Sequence, residues 1–261
     1  MEIGDCKVEV DVSNLTPEAR PIVRQVAAVY LEHTEPWFIG LIVHGSAVKG
    51  GVIPGCSDID FQLYLEDPAF TAQGQLTLGL GLSIYRDLSK INLAPFRYVQ
   101  CATLPSRLPE GFVGPVPGAY HLVAGRLPVA EATAQQLRES ARGALTELDP
   151  MPPFIMGRLL GHGGVRMARS IRLLCTKVWP VLYQVLTLQQ DDVIRVWCLP
   201  KEQAIELLPK NTSLSQTIRR FYQAVRAYYP AEDSVEGALS IIESGVAFLG
   251  AAKSWRDEAD L

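Results

Sequence analysis

Two carboxylates and a small-residue turn are the residues of this sequence best suited to chemistry. Asp58 and Asp60 alternate with Ile59 and Phe61, and Gln62 and Tyr64 continue the polar set against Leu63 and Leu65. Period two sends both acids to one face of a strand and the apolar set into a core. Two hard oxygen ligands then stand close together, where Mg²⁺ can use them. Ahead of them Gly45 and Ser46 close an apolar run, with eleven residues between Ser46 and Asp58. Gly45 lets the backbone turn tightly. Ser46 and the amides around it then open a helix, where unpaired N–H groups and the positive end of the dipole favour phosphate oxygens. Gly50, Gly51, Pro54 and Gly55 form the loop that returns the chain to Asp58. A D-x-D alone would read as a solvent-facing edge strand. In this order, with the Gly-Ser turn, it describes a site for a metal-bound nucleoside triphosphate.

The elements that must position these residues follow from periodicity. Thr16-Pro17-Glu18 signals a helix start, and Val23, Val26, Ala27, Tyr30 and Leu31 form its buried stripe. Residues 37–43 read as a central strand and 58–65 as its neighbour. A helix is expected near 69–90, although Gly79 and Gly81 weaken it, and then a strand around Phe96–Cys101. A further strand follows near Tyr120–Val123, and Leu137, Ala141, Leu145 and Leu148 mark an amphipathic helix. Pro150, Pro152 and Pro153 punctuate the chain, and everything beyond them is helical in pattern. Gly161-His-Gly-Gly164 reads as a helix junction. Val235, Leu239, Ile242, Val246 and Leu249 stripe a final helix that Asp233 and Glu236 can cap. Strands with helices first and helices alone afterwards predict an α/β (α+β) domain over residues 1–150 and an all-α bundle over 151–261, with the active site between them.

Composition narrows the function. A chain of 261 residues with 48% hydrophobic content can bury two modest cores. A formal charge of −4 argues against general affinity for nucleic acid. Cys6, Cys56, Cys101, Cys175 and Cys198 are odd in number and scattered, as expected of reduced thiols in a cytoplasmic protein. Met1–Lys7 carries no signal-peptide hydrophobic region, and no apolar run is expected to approach the ~20 residues of a membrane span. From Met151 to Pro230 there are eleven Lys or Arg against four acids. A pocket for a polycation should be acidic, so a cationic acceptor is not expected there.

His44-Gly-Ser followed by Ser57-Asp-Ile-Asp-Phe61 resembles the signature of the DNA-polymerase-β-like nucleotidyltransferase superfamily. Gly45-Ser-Ala-Val-Lys-Gly-Gly51 with Ser57-Asp-Ile-Asp60 is similar, more narrowly, to the aminoglycoside adenylyltransferases of the streptomycin/spectinomycin type. Leu199-Pro-Lys-Glu-Gln-Ala-Ile-Glu-Leu-Leu-Pro209 and Ala224-Val-Arg-Ala-Tyr-Tyr229 resemble that group's helical-domain pattern. The resemblance implies a nucleotidyltransferase domain with a small mixed sheet, followed by a helical bundle. It implies Mg²⁺ at Asp58 and Asp60, and ATP held by Gly45, Ser46, Lys201 and either Tyr228 or Tyr229. It also implies AMP transfer to a hydroxyl of a small-molecule acceptor.

The family commonly places a third carboxylate on the next core strand. Here that stretch, Ala94-Pro-Phe-Arg-Tyr-Val-Gln-Cys101, offers Arg97 or Gln100 instead, with Arg97 expected in the third position and Glu66, Asp67, Asp87, Glu110 and Glu131 as candidate substitutes for the acid. A positioned base is worth about 10²- to 10⁴-fold in rate. Two alternatives therefore stand beside the enzyme: a catalytically weak nucleotide-binding or regulatory relative, and a nucleotidyltransferase that modifies a protein partner. His44 is expected to pack rather than transfer protons.

Overall fold

The computed structural model describes residues 8–162, 166–229 and 234–259. Cys6, Gly163 and Gly164 of the glycine run, and Asp233 lie outside them. The chain divides into two units, Met1–Ala132 and Thr133–Leu261.

The first unit is built on a four-stranded mixed sheet: β1 (Phe38–His44), β2 (Ile59–Leu65), β3 (Val99–Pro105) and β4 (Tyr120–Gly125), in the order β3-β2-β1-β4. β1 runs antiparallel to both its neighbours, and β3 lies parallel to β2. Helices α1 (Arg20–Thr34) and α3 (Leu78–Leu88) pack together, and their apolar residues share a core with one face of the sheet. That core joins Val23, Val26 and Tyr30 to Leu41, Val43, Ile59, Phe61, Leu63 and Leu65, with Tyr30 edge-on to Phe61 at 5.6 Å. The opposite face has a smaller apolar cluster around Ile39, Ile42 and Tyr64. The rest of that face is free to be polar.

Three boundaries differ from the sequence reading. α1 begins at Arg20, because the Thr16 carbonyl accepts from the Ala19 and Arg20 amides and holds residues 16–19 in turns. The stretch after β2 is not helical from residue 69. A 3-10 turn at Asp67–Ala69 and a Phe70–Leu76 bridge come first, and α3 starts only where Thr77 Oγ1 caps the Leu80 amide. β3 starts at Val99, because the Phe96 amide turns back to the Leu93 carbonyl and the Phe96 ring is buried.

The second unit is helical throughout its described residues: α4 (Ala134–Thr146), α5 (Pro152–His162), α6 (Met167–Gln189), α7 (Val193–Cys198), α8 (Lys201–Glu206), α9 (Ser213–Tyr228) and α10 (Val235–Glu258). The division falls before α4 rather than at residue 150. Thr133 and Gln136 form a capping box that starts α4, and α4 packs on α6 and α10. α10 is long and apolar enough to cross a membrane by length and composition. Its Ile241, Phe248 and Leu249 are nevertheless buried, and it packs on α6 and α9. Ser234 caps it by accepting from the Gly237 amide. Cys56, Cys101, Cys175 and Cys198 are not in disulfides.

Candidate functional site

β1 ends at His44, and Gly45 reverses the chain with φ +74° and ψ −145°, a backbone conformation available in practice only to glycine. Ser46–Lys49 then forms a single helical turn, α2. The Val48 and Lys49 amides donate to the Gly45 carbonyl at 3.2 and 3.0 Å. The first amides of such a turn have no intrahelical acceptor. The return loop is held from within: the Ser57 hydroxyl accepts from the Ile53 amide at 2.9 Å, and the Gly55 amide donates to the Pro95 carbonyl at 2.9 Å. This delivers Asp58 to the start of β2 beside the turn, where the Ser46 hydroxyl donates to the Asp58 carbonyl at 3.3 Å.

Asp58 and Asp60 are half-buried, whereas Ile59 and Phe61 between and beyond them are in the core. The acids therefore share the face opposite α1. Register builds a polar rung across the whole sheet on that face. Tyr120 pairs with His44, His44 with Asp60, and Asp60 with Gln100. At one end of the rung the Tyr120 hydroxyl donates to Glu131 Oε1 at 2.9 Å. One rung along, the Tyr64 hydroxyl donates to Gln62 Oε1 at 2.7 Å.

The electrostatics keep this face rich in neutral donors. Burial, then the charge on Lys49, pushes the His44 imidazole down to about 4 against the opposing pull of Asp58. His44 is thus neutral at physiological pH. Burial raises Tyr64 to about 12, and burial together with Glu131 raises Tyr120 to about 12. Both phenols stay protonated.

The donor set suits Mg²⁺. Asp58 and Asp60 offer hard carboxylate oxygens, and Gly45 leaves open a space beside Asp60 Oδ2 that a Cβ would fill. Among the described residues no group of three or more His, Cys, Asp or Glu converges as a metal cage. A cation held here would complete its shell with phosphate oxygens and water, which is the habit of Mg²⁺ at triphosphate sites.

The third position is where the structure revises the sequence reading. Arg97 lies ahead of β3, exposed, its amide donating to the Ser57 carbonyl at 2.8 Å. Gln100, not Arg97, occupies the rung beside Asp60. The parallel register sets this: once Val99 pairs with Ile59, Gln100 must fall level with Asp60. Tyr120 also joins this face, although no sequence motif marks it, and with it comes Glu131, one of the substitute acids named from the sequence.

Lys201 and Tyr229 belong to the second unit. Lys201 opens α8, and its Nζ stands 5.6 Å over the Trp179 ring. Trp179 packs in turn against Phe221 at 5.0 Å and Tyr222 at 6.0 Å. Tyr229 follows α9, is buried, and meets Tyr228 edge-on at 5.4 Å.

No family model and no curated protein sequence matches the chain. Among solved structures it is similar to spectinomycin adenyltransferase AAD(9) from Enterococcus faecialis, crystallised with ATP and spectinomycin. The two share 16% identity over 90% of this chain and 98% of that one, with a TM-score of 0.52. The likeness is one of fold: this chain shares the fold of that structure.

Proposed function

We propose that the chain is a cytoplasmic, Mg²⁺-dependent nucleotidyltransferase that moves AMP from ATP to an oxygen of a small-molecule acceptor, a hydroxyl in the family it resembles. The observation that carries this reading is the Gly45–Ser46 turn set beside Asp58 and Asp60 on one sheet face. Its fold likeness to an enzyme crystallised with ATP and spectinomycin supports it.

Asp58 and Asp60 would hold Mg²⁺, which supplies charge neutralisation for an in-line displacement at phosphorus. The α2 amides and the Ser46 hydroxyl would grip the β- and γ-phosphates. The neutral His44 adds no positive charge beside the carboxylates. Gln62, fixed by Tyr64, continues the polar face beyond them. Lys201 would face the triphosphate and Tyr228 or Tyr229 would pack near the nucleotide, as the resemblance implies.

A second reading is favoured by one observation. With Gln100 in the rung beside Asp60, the third acid of the family is absent there, as in a nucleotide-binding relative of weak catalytic power. Magnesium-dependent ATP binding followed by pyrophosphate release with a panel of acceptors separates the two. Binding with release supports the transferase, and binding without release supports the weak relative. Failure to bind ATP in the presence of Mg²⁺ refutes both.

A further inference from the structure

We infer that the acceptor oxygen reaches this site already ionised, as a carboxylate or phosphate monoester, and that Gln100 is the group that receives it. The inference rests on the nucleotidyltransferase reading and narrows its acceptor.

The argument starts from register. β3 runs parallel to β2, and Gln100 is the strand-to-strand partner of Asp60, exposed on the face that carries the acids. Register partners on adjacent strands point to the same side of the sheet, and the strands themselves lie about 4.8 Å apart. A side chain there faces whatever lies beside the metal-binding pair. Glutamine cannot take a proton from an acceptor, but its amide N–H₂ can donate to an anionic oxygen.

Among the described residues, the carboxylates placed on this sheet face by register or hydrogen bonding do not replace it. Asp58 and Asp60 are committed to the cation in this reading. Glu131 meets the rung only at its far end, accepting from Tyr120, which is two strands away from Asp60. A hydroxyl acceptor would therefore forgo the ~10²- to 10⁴-fold that a positioned base supplies. An oxyanion has no such need.

Charge points the same way. Lys49 ends the α2 turn and Arg97 is exposed just ahead of β3, both in the unit that carries the acids. Such a surface attracts anions and opposes polycations.

The chemistry balances without a base. The ionised oxygen of the acceptor attacks the α-phosphorus of ATP with its own electron pair. The bond from that phosphorus to the oxygen bridging to the β-phosphorus breaks, and pyrophosphate leaves with the electrons. No proton is moved. A carboxylate acceptor becomes an acyl adenylate, and a phosphate monoester becomes a pyrophosphate-linked adenylate.

The test uses the full chain with Mg²⁺ and ATP, and matched acceptors: glycerol, glycerate and glycerol 3-phosphate, and glucose, gluconate and glucose 6-phosphate. ATP binding is measured first by calorimetry, then pyrophosphate release. At least one anionic form is expected to raise release ten-fold or more over ATP alone, while its neutral counterpart does not. Gln100→Glu is expected to bind ATP yet reverse that preference. Trapping by hydroxylamine identifies the carboxylate product, and the mass of a stable adenylate identifies the phosphate product. Equal or faster release with the neutral forms overturns the inference, as does basal release with every anion or an unchanged preference in Gln100→Glu. Loss of ATP binding by the native chain would instead refute the nucleotidyltransferase reading itself.

Discussion

Gly45 and Asp60 approach so closely across the β1–β2 connection that a Cβ on Gly45 would stand 2.6 Å from Asp60 Oδ2. The turn and the acid thus depend on one another. Gly45→Ala also forces a side chain into φ +74°, a strain of about 1–3 kcal/mol. We expect this variant to unfold at lower denaturant concentration and to lose ATP affinity beyond what the lost stability explains. Native-like affinity in the folded variant would show that Asp60 is not part of the site.

Asp58→Asn and Asp60→Asn should each remove the magnesium-dependent part of ATP affinity while leaving the unit folded. Both side chains are half-buried on the polar face rather than in the apolar core. Calorimetric titration of ATP with and without Mg²⁺ checks this, alongside circular dichroism. An undiminished magnesium effect in both variants would refute the metal assignment.

Ser46 separates hydroxyl from amide. Ser46→Ala loses a 3.3 Å hydrogen bond to the Asp58 carbonyl, a contribution of about 1 kcal/mol or less, and should weaken ATP binding only moderately. Ser46→Pro deletes the amide at a helix start that tolerates proline's backbone, and should weaken binding at least ten-fold more. Equal losses would assign the phosphate contact to the hydroxyl.

His44 gives the protein a defined acid sensitivity. Its pKa falls from 6.5 to about 4 on folding, so between those values the unfolded chain holds more protons than the folded one. Stability therefore rises with pH across that window, by up to about 1.4 kcal/mol per unit. The contribution is complete above pH 6.5 and is lost as pH falls through 4. Urea unfolding of the native chain and His44→Gln at pH 4.5, 5.5 and 7 should show a steeper pH dependence in the native chain. Parallel curves would place His44 in water.

The sequence by itself determined what local pattern and chain order control. Alternation at Asp58–Leu65 placed the acids on the face opposite the apolar core, since side chains on a strand alternate whatever it pairs with. The apolar run before Gly45 and the helical stripes beyond residue 133 likewise set the succession of a small mixed sheet and a helical unit, because each element must bury its own apolar face. What the sequence could not contain was register. Arg97 and Gln100 are three residues apart in a segment where the Leu93–Phe96 turn, not any local preference, decides where β3 begins. Only the parallel pairing of Val99 with Ile59 sets Gln100 beside Asp60, and only the antiparallel pairing of His44 with Tyr120 brings Glu131 to the same face. Contacts between residues 40 to 76 positions apart depend on how strands dock, and docking is settled by the shared core beneath them rather than by any single segment.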